Sequence, residues 1–106
     1  MTRRGPRILG KWRIVEMDLW DTAYIDMLGP GHIELDPSGG SMEFGAIQIG
    51  LDCHYGTDSV HFTFQGHDEM TEVSGDGDAN IEPDGTLIGE IRFHLGDEAS
   101  FTPRRW

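Results

Sequence analysis

Alternation of apolar and polar residues, interrupted at short intervals by turn-forming residues, is the feature that most limits the fold of this chain. Val60, Phe62 and Phe64 alternate with polar residues, and the segment 87–95 alternates in the same way. A period of two is typical of strands that bury one face. Clusters of Gly, Pro, Asp and Ser separate such segments at 36–40, 55–58, 66–69, 82–85 and 96–98. This spacing predicts an all-β antiparallel meander.

Two stretches of the predicted sheet depart from simple alternation. The apolar parity changes near Gly45, where we predict a β-bulge or bend that restores one continuous inner face. In the strand at 70–81, one face consists mainly of small residues, which allow a sharp bend or the close approach of another element. The residues of that face are Val73, Gly75, Gly77, Ala79 and Ile81.

One segment has helical spacing instead. Its apolar residues recur at positions i, i+3, i+4, i+7 and i+8, namely Trp20, Ala23, Tyr24, Met27 and Leu28. Asp18 or Asp21 can cap the start, and Gly29-Pro30 ends the pattern. We predict a short amphipathic helix after the first strand, with Trp20 and Tyr24 plugging one end of the sheet.

A chain of 106 residues matches one ordinary domain. We predict a flexible N-terminal leader at 1–8. Residues 9–106 are predicted to form one antiparallel barrel or half-barrel of seven to eight strands. Seven strands that fail to close would leave an open sheet edge, through which a homodimer could form.

Charge and cysteine content narrow the partners and the compartment. Eight Lys and Arg against nineteen Asp and Glu give a formal net charge of −11. Such a surface repels nucleic acid and anionic membrane, and it favours basic proteins, cations or neutral ligands. The single cysteine, Cys53, excludes an internal disulfide framework, and we expect a cytoplasmic protein.

The histidines and acidic residues form no recognisable metal or cofactor motif. His54, His61 and His94 share the polar face of their strands, and neither His-x-x-x-His nor Cys-x-x-Cys occurs. The run 76–80 begins like a calcium loop, but Ile81 stands where that loop needs glycine and Leu87 where it needs an acid. We therefore predict no metal ligand and no cofactor.

Catalytic groups are not predicted either. Cys53 has the apolar parity of its strand, and its neighbour His54 points to the opposite face. Asp68 and Glu69, with Glu72 nearby, could supply two carboxylates for acid–base catalysis. We predict an exposed acidic turn instead, because no apolar residue beside them would shift the pKa of either carboxylate.

The segment Leu9-Gly10-Lys11-Trp12-Arg13-Ile14-Val15, followed by Asp21, Tyr24 and Met27-Leu28-Gly29, resembles the opening of the calycin barrels, the lipocalins and fatty-acid-binding proteins. Those families carry Gly-x-Trp on the first strand and an arginine of the last strand packed across the tryptophan. The resemblance implies that Gly10, Trp12 and Arg104 close the barrel, with Arg105 as the alternative arginine. The chain is also similar to small bacterial proteins that open with a Lys-Trp-Arg-Ile-like strand, a likeness that implies no activity.

Three function classes follow. The first is a non-catalytic binding protein with a small lipocalin-like barrel and a small apolar ligand beneath the helix. Its predicted ligand-binding residues are Trp20, Tyr24, Leu28, Phe62, Phe64 and Phe93. In so small a barrel the inner side chains can instead fill the interior. The second class is an acidic interaction module or inhibitor that docks on a basic partner. A metal-dependent enzyme using surface His and Asp ranks last.

Overall fold

The computed structural model describes residues 7–106, which form a closed antiparallel barrel whose eight strands follow one another in chain order. This confirms the predicted all-β meander with one short helix after the first strand. The strands are β1 Gly10–Met17, β2 His32–Asp36, β3 Gly39–Phe44, β4 Ile47–Tyr55, β5 Ser59–Asp68, β6 Thr71–Ile81, β7 Leu87–Phe93 and β8 Glu98–Arg105. The helix, α1, spans Thr22–Ile25.

Pairing of the first strand with the last closes the barrel. β1 is hydrogen-bonded to β2 on one side and to β8 on the other. Its register against β8 shifts between Ile14 and Glu16, so Trp12, Ile14 and Met17 are all buried despite their uneven spacing. Each of the eight strands therefore has two neighbours, and the open edge expected of a seven-stranded sheet is not formed by the strands described.

The change of apolar parity at Gly45 has a different cause from the predicted bulge or bend. Phe44 pairs directly with Ile47, so Gly45 and Ala46 form a two-residue hairpin turn between β3 and β4. Gly45 has a φ of 58°, the left-handed conformation that such turns require at their first position. The prediction of a distortion within one strand was wrong, because the chain reverses here and starts a new strand.

Aromatic rings packed against glycines fill the barrel interior. Phe62 lies opposite Gly77, Phe64 opposite Gly75, and Phe101 opposite Gly89 on neighbouring strands. A Cβ on Gly77 would lie 2.5 Å from the ring of Phe62, and one on Gly89 would lie 2.4 Å from the ring of Phe101. The small residues of β6 thus make room for rings, and Phe62 is 0% exposed.

The barrel has two distinct ends. We call the end where β1, β3, β5 and β7 finish the upper end, and the end where they begin the lower end. At the lower end, Ile8 is fully buried, and its carbonyl accepts a hydrogen bond of 2.9 Å from the indole N–H of Trp12. Packing therefore begins inside the leader predicted at 1–8, of which residues 1–6 lie outside the described residues.

Arg105, rather than Arg104, closes the lower end over Trp12. Its guanidinium carbon lies 3.9 Å from the centre of the Trp12 ring, and its Nη1 donates to the carbonyl of Leu9 at 2.8 Å. The strand register pairs Trp12 with Arg105, whereas Arg104 is paired with Arg13 and is exposed. Gly10 has a φ of 123°, and a Cβ there would lie 3.0 Å from Arg105 Nη1. The choice of Arg104 was therefore one residue out of register.

The helix at the upper end is shorter than the predicted one. Asp21 caps it, because its carboxylate accepts the backbone N–H of Tyr24 at 2.9 Å. The chain leaves the helix at Asp26, whose carboxylate accepts the N–H of Gly31 at 2.9 Å and pairs with Arg13 at 3.3 Å. Met27 and Leu28, predicted as helical, lie beyond this point and are exposed.

Candidate functional site

An aromatic cluster covers the upper end of the barrel. Trp20, which precedes α1, has its ring centre 5.1 Å from that of Phe44, 6.1 Å from that of Phe93 and 6.3 Å from that of Tyr24. Phe93 in turn lies 5.3 Å from Phe64, which belongs to the packed interior. Trp20 is half-buried, so its rings complete the core on one side and leave surface for contact on the other.

A cleft of about 350 Å³ opens beside Trp20 at this end. Its apolar part comes from the start of β4, the start of β6 and the end of β7. Its polar part comes from the last residue of β5, the first residues of β6 and the β7–β8 loop. The lining residues are Trp20, Ile47, Asp68, Glu72, Val73, Ser74, Phe93, His94, Gly96 and Asp97. The arrangement resembles a small-ligand site in having an apolar floor and a few polar groups at its rim.

Asp68 is the residue of this cleft whose position is least expected from its chemistry. It is the last residue of β5 and pairs with Ile47, which is buried inside the barrel. Paired residues of adjacent strands lie on the same face, so Asp68 belongs to the inner face together with Phe62 and Phe64. It is half-buried. Sequence reasoning missed this role, although the parity of Asp68 with the two phenylalanines was the signal that could have found it.

The upper end is strongly acidic. The segments that build it, 17–31, 44–47, 66–73 and 93–99, contain no lysine or arginine. Their acidic residues are Asp18, Asp21, Asp26, Asp68, Glu69, Glu72, Asp97 and Glu98. Of these, Asp26 is paired with Arg13, whereas the ion pairs of Arg7 with Asp58, and of Arg92 with Asp76, Asp78 and Glu90, lie outside these segments. The field at the cleft is therefore negative and attracts cations.

Two turns beside the cleft hold non-glycine residues in the left-handed conformation. Glu69 has a φ of 56° in the two-residue turn between β5 and β6, and Leu95 has a φ of 58° in the loop between β7 and β8. Met70 and Leu95 are each 95% exposed, so neither side chain is placed there by packing. Strained backbone positions cluster at functional sites, so the conformations of Glu69 and Leu95 single out these two turns.

The six predicted ligand-binding residues are divided between several places. Trp20 and Phe93 line the cleft, and Phe64 lies directly beneath Phe93. Phe62 is enclosed in the interior. Tyr24 packs on Gly45, and its hydroxyl accepts the N–H of Ala46 at 3.3 Å.

Leu28 lies apart from the cleft beside Trp20. It is 70% exposed and lines a second cleft of about 360 Å³, together with His32 and Trp106. The ring of Trp106 carries the ammonium of Lys11 at 4.1 Å from its centre. Leu28 is therefore not part of the cleft beside Trp20.

The histidines of the strands lie on the outer wall. His54 and His61 are paired between β4 and β5, and His61 Nε2 is 3.2 Å from a carboxylate oxygen of Asp76. A hydrogen bond from Arg92 holds the pKa of Asp76 below its usual value. Within residues 7–106, no three His, Cys, Asp or Glu side chains are arranged to hold a metal ion.

Cys53 and Tyr55, near the lower end, are weakly reactive side chains. Burial raises the pKa of the Cys53 thiol, and burial likewise raises the pKa of the Tyr55 hydroxyl. The Tyr55 hydroxyl donates to the carbonyl of Asp36 at 2.7 Å, which anchors β4 to the β2–β3 turn. A thiol with a raised pKa is a poor nucleophile at neutral pH.

Comparison with known proteins found no family model, curated protein or solved structure that matches this chain. Within the part of the chain that the structure describes, no helix has the length and apolar character needed to cross a lipid bilayer.

Proposed function

We propose that this chain is a non-catalytic binding protein of calycin-like form whose ligand occupies the cleft beside Trp20. The observation that carries the proposal is an apolar and aromatic floor exposed at one end of an otherwise filled barrel. Phe62 and its neighbours occupy the interior, so a ligand is accommodated at the mouth and not along the barrel axis. Its volume, about 350 Å³, is at the lower end of the range for ligand pockets, which is about 300–1,000 Å³.

The backbone around the cleft supports a binding role. Holding a non-glycine residue in the left-handed region costs about 1–2 kcal/mol, and the turns on both sides of the cleft contain one. Neither Glu69 nor Leu95 recovers this cost by packing, because both are exposed. The strained positions thus adjoin the cleft, as strained backbone often adjoins a ligand site.

The calycin-like assignment is supported by architecture and by one contact. Eight antiparallel strands in chain order form a closed meander, and Arg105 of the last strand stacks on Trp12 of the first. These features are compatible with the fold that the Gly10-Lys11-Trp12 segment implied, with Arg105 in the place first given to Arg104. They concern the scaffold, whereas the function depends on the residues at the upper end.

Binding is tested with three probes of the same shape and different charge: 2-phenylethanol, phenethylammonium and 3-phenylpropionate. Each is titrated into ¹⁵N-labelled protein while amide chemical shifts are recorded. We expect saturable shifts for at least one probe, centred on Ile47, Val73 and Phe93, with Gly39 and Gly85 at the lower end unaffected. Absence of saturable shifts with all three probes, or shifts spread over both ends, would overturn the proposal.

A second candidate function is docking on a basic protein partner, and the exposed tips of the upper end favour it. Met70 and Leu95 project from turns that also carry Glu69, Asp97 and Glu98. Apolar anchors surrounded by acidic residues suit a basic segment with apolar side chains. The double variant Met70→Ser and Leu95→Ser should abolish capture of such a partner and leave probe binding in the cleft unchanged. Capture that survives the double variant would exclude these tips as the docking surface.

A further inference from the structure

We propose that the cleft beside Trp20 selects a small organic cation, an ammonium or guanidinium group attached to an aromatic or aliphatic body. This inference rests on the proposed binding function and adds the chemical class of the ligand. Asp68 points to this class of ligand, because it places a carboxylate on the inner face of the barrel mouth.

Asp68 lies where the strand pattern otherwise places apolar side chains. β5 directs Val60, Phe62 and Phe64 inward, and Asp68 has the same parity at the rim. A half-buried carboxylate beside Ile47 has lost part of its hydration, so a cation that approaches it replaces lost water contacts with an ion pair. Of the described arginines, Arg13 is paired with Asp26 and Arg92 with Asp76, so neither supplies the counter-charge.

A second carboxylate of the lining adds to this charge. Asp97 lies in the loop before β8 and is exposed. Glu72, the second residue of β6, also borders the cleft, but it pairs with the outward-facing His67 and so belongs to the outer face. A cation in the cleft thus meets negative charge from the end of β5 and from the loop between β7 and β8. His94 is the one residue of the lining that could carry positive charge.

The floor of the cleft would bind the apolar body of the ligand. Trp20 and Phe93 present rings that can stack on an aromatic or aliphatic group and can attract a cation through their faces. Charge and apolar surface are therefore adjacent, as they are in an amine with a hydrophobic substituent. The volume of about 350 Å³ favours a ligand of this size over a long-chain lipid.

The three probes of the preceding section separate this inference from the function on which it rests. Isothermal calorimetry and amide shifts are used to measure each dissociation constant at low salt. We expect phenethylammonium to bind about tenfold or more tightly than 2-phenylethanol, because a charge-assisted hydrogen bond contributes at least that factor. We expect 3-phenylpropionate to bind most weakly. Equal binding of the amine and the alcohol would overturn the inference and leave the proposed function standing.

Asp68→Asn keeps the shape of the side chain and removes its charge. We expect this variant to bind phenethylammonium about tenfold more weakly and 2-phenylethanol as before. The matched control is Asp52→Asn, which makes the same change at an exposed position on the outer face of β4 and should leave both affinities unchanged. A preference for the amine that survives Asp68→Asn undiminished would overturn the role of Asp68.

Salt provides a test that requires no folded variant. Raising the ionic strength from about 0.01 M to about 1 M shortens the screening length from about 30 Å to about 3 Å. Wild-type affinity for phenethylammonium should fall severalfold, while affinity for 2-phenylethanol should not fall. Affinity for the amine that is independent of salt would contradict an ionic mode of recognition.

Discussion

The two ends of the barrel are closed by tryptophans in opposite ways. At the lower end, Trp12 is 2% exposed, its indole N–H is bonded to Ile8, and the guanidinium of Arg105 covers its ring. At the upper end, Trp20 is half-buried, packs against the rings of Phe44 and Phe93, and borders an acidic cleft. The lower end is a structural seal in which the tryptophan is fully covered, whereas at the upper end part of the Trp20 side chain stays exposed at the cleft.

Backbone conformation shows the same contrast. Left-handed positions near the lower end are occupied by glycines, namely Gly10, Gly39 and Gly85. At the upper end, Gly29 and Gly45 occupy two such positions, and Glu69 and Leu95, which adopt them at a cost, occupy two more. Among the described residues, non-glycine side chains at left-handed positions therefore occur at the upper end alone.

Removal of each tryptophan gives the largest expected difference between the ends. Trp12→Ala should lower the free energy of unfolding by about 3–5 kcal/mol, because it empties a fully buried site and leaves Arg105 without its stacking partner. Trp20→Ala should cost less, about 1–2 kcal/mol, because the side chain is already half exposed. Chemical denaturation of both variants measures the difference.

Trp106→Ala is the control for those two variants, since Trp106 is 59% exposed and its loss should change stability by less than about 1 kcal/mol. An equal cost for Trp12→Ala and Trp20→Ala would break the contrast between the ends, because it would make Trp20 part of the structural seal.

Arg105→Gln tests the seal itself. The variant loses the cation–π contact with Trp12 and hydrogen bonds to the carbonyls of Leu9 and Arg7, so we expect a loss of about 1–2 kcal/mol. Arg104→Gln makes the same change at the adjacent exposed position and should have little effect. Thermal unfolding of the two variants compares their losses of stability. A larger loss for Arg104→Gln would mean that the register of β8 against β1 is different.

Glycine substitutions test the backbone contrast. Leu95→Gly should raise stability by about 0.5–1 kcal/mol, because it relieves a left-handed residue whose side chain has no packing to lose. Gly85→Ala, at a φ of 91° near the lower end, should lower stability by about 1 kcal/mol. Denaturation midpoints report both changes. Destabilisation by Leu95→Gly would show that the Leu95 side chain supports the fold.

The smallest expected effect is the pH dependence contributed by one carboxylate at each end. Hydrogen bonds from Ser100 hold the pKa of Asp18 below 3.8 at the upper end, and hydrogen bonds from Thr86 hold the pKa of Asp84 below 3.8 at the lower end. A depressed folded-state pKa stabilises the protein above the unfolded value, and this contribution disappears as the pH falls through the folded value.

Asp18→Asn and Asp84→Asn should therefore each lower stability slightly at neutral pH, where the carboxylate contributes, and make stability less sensitive to pH below about 4. Unfolding midpoints between neutral and acidic pH provide the measurement. A variant that follows the wild-type acid curve unchanged would show that its carboxylate does not contribute, and a difference between the two variants would extend the contrast of the ends to electrostatics.

Much of the fold could be predicted because strand faces and turns are local properties. The alternation in β5 and β7 identified Val60, Phe62, Phe64 and Ile91 as inward-facing, and they are buried. The helix prediction offered Asp18 or Asp21 as the cap, of which the structure uses Asp21, but it extended the helix over Met27 and Leu28. That error arose because the apolar spacing continues past Asp26, where the carboxylate of Asp26 accepts the N–H of Gly31 and the chain leaves the helix.

Less of the candidate site could be predicted, because it is assembled from four separate segments. Trp20 and Phe93 were selected by their aromatic character, whereas Asp68 was assigned to an exposed acidic turn. Its inward face follows from its pairing with Ile47, twenty-one positions away in the sequence, and from the exact end of β5. A carboxylate one position earlier or later would face the solvent.

The sequence by itself determined the all-β class, the inward faces of the strands, the presence of a short helix after the first strand and the acidic character of the surface, because periodicity, turn chemistry and charge are carried by neighbouring residues. Tertiary structure decided the closure of β1 against β8, the choice of Arg105 over Arg104, and the meeting of Trp20, Phe93 and Asp68 at one cleft. These depend on register between distant segments, where a shift of one residue reverses every face, and local pattern does not encode that register.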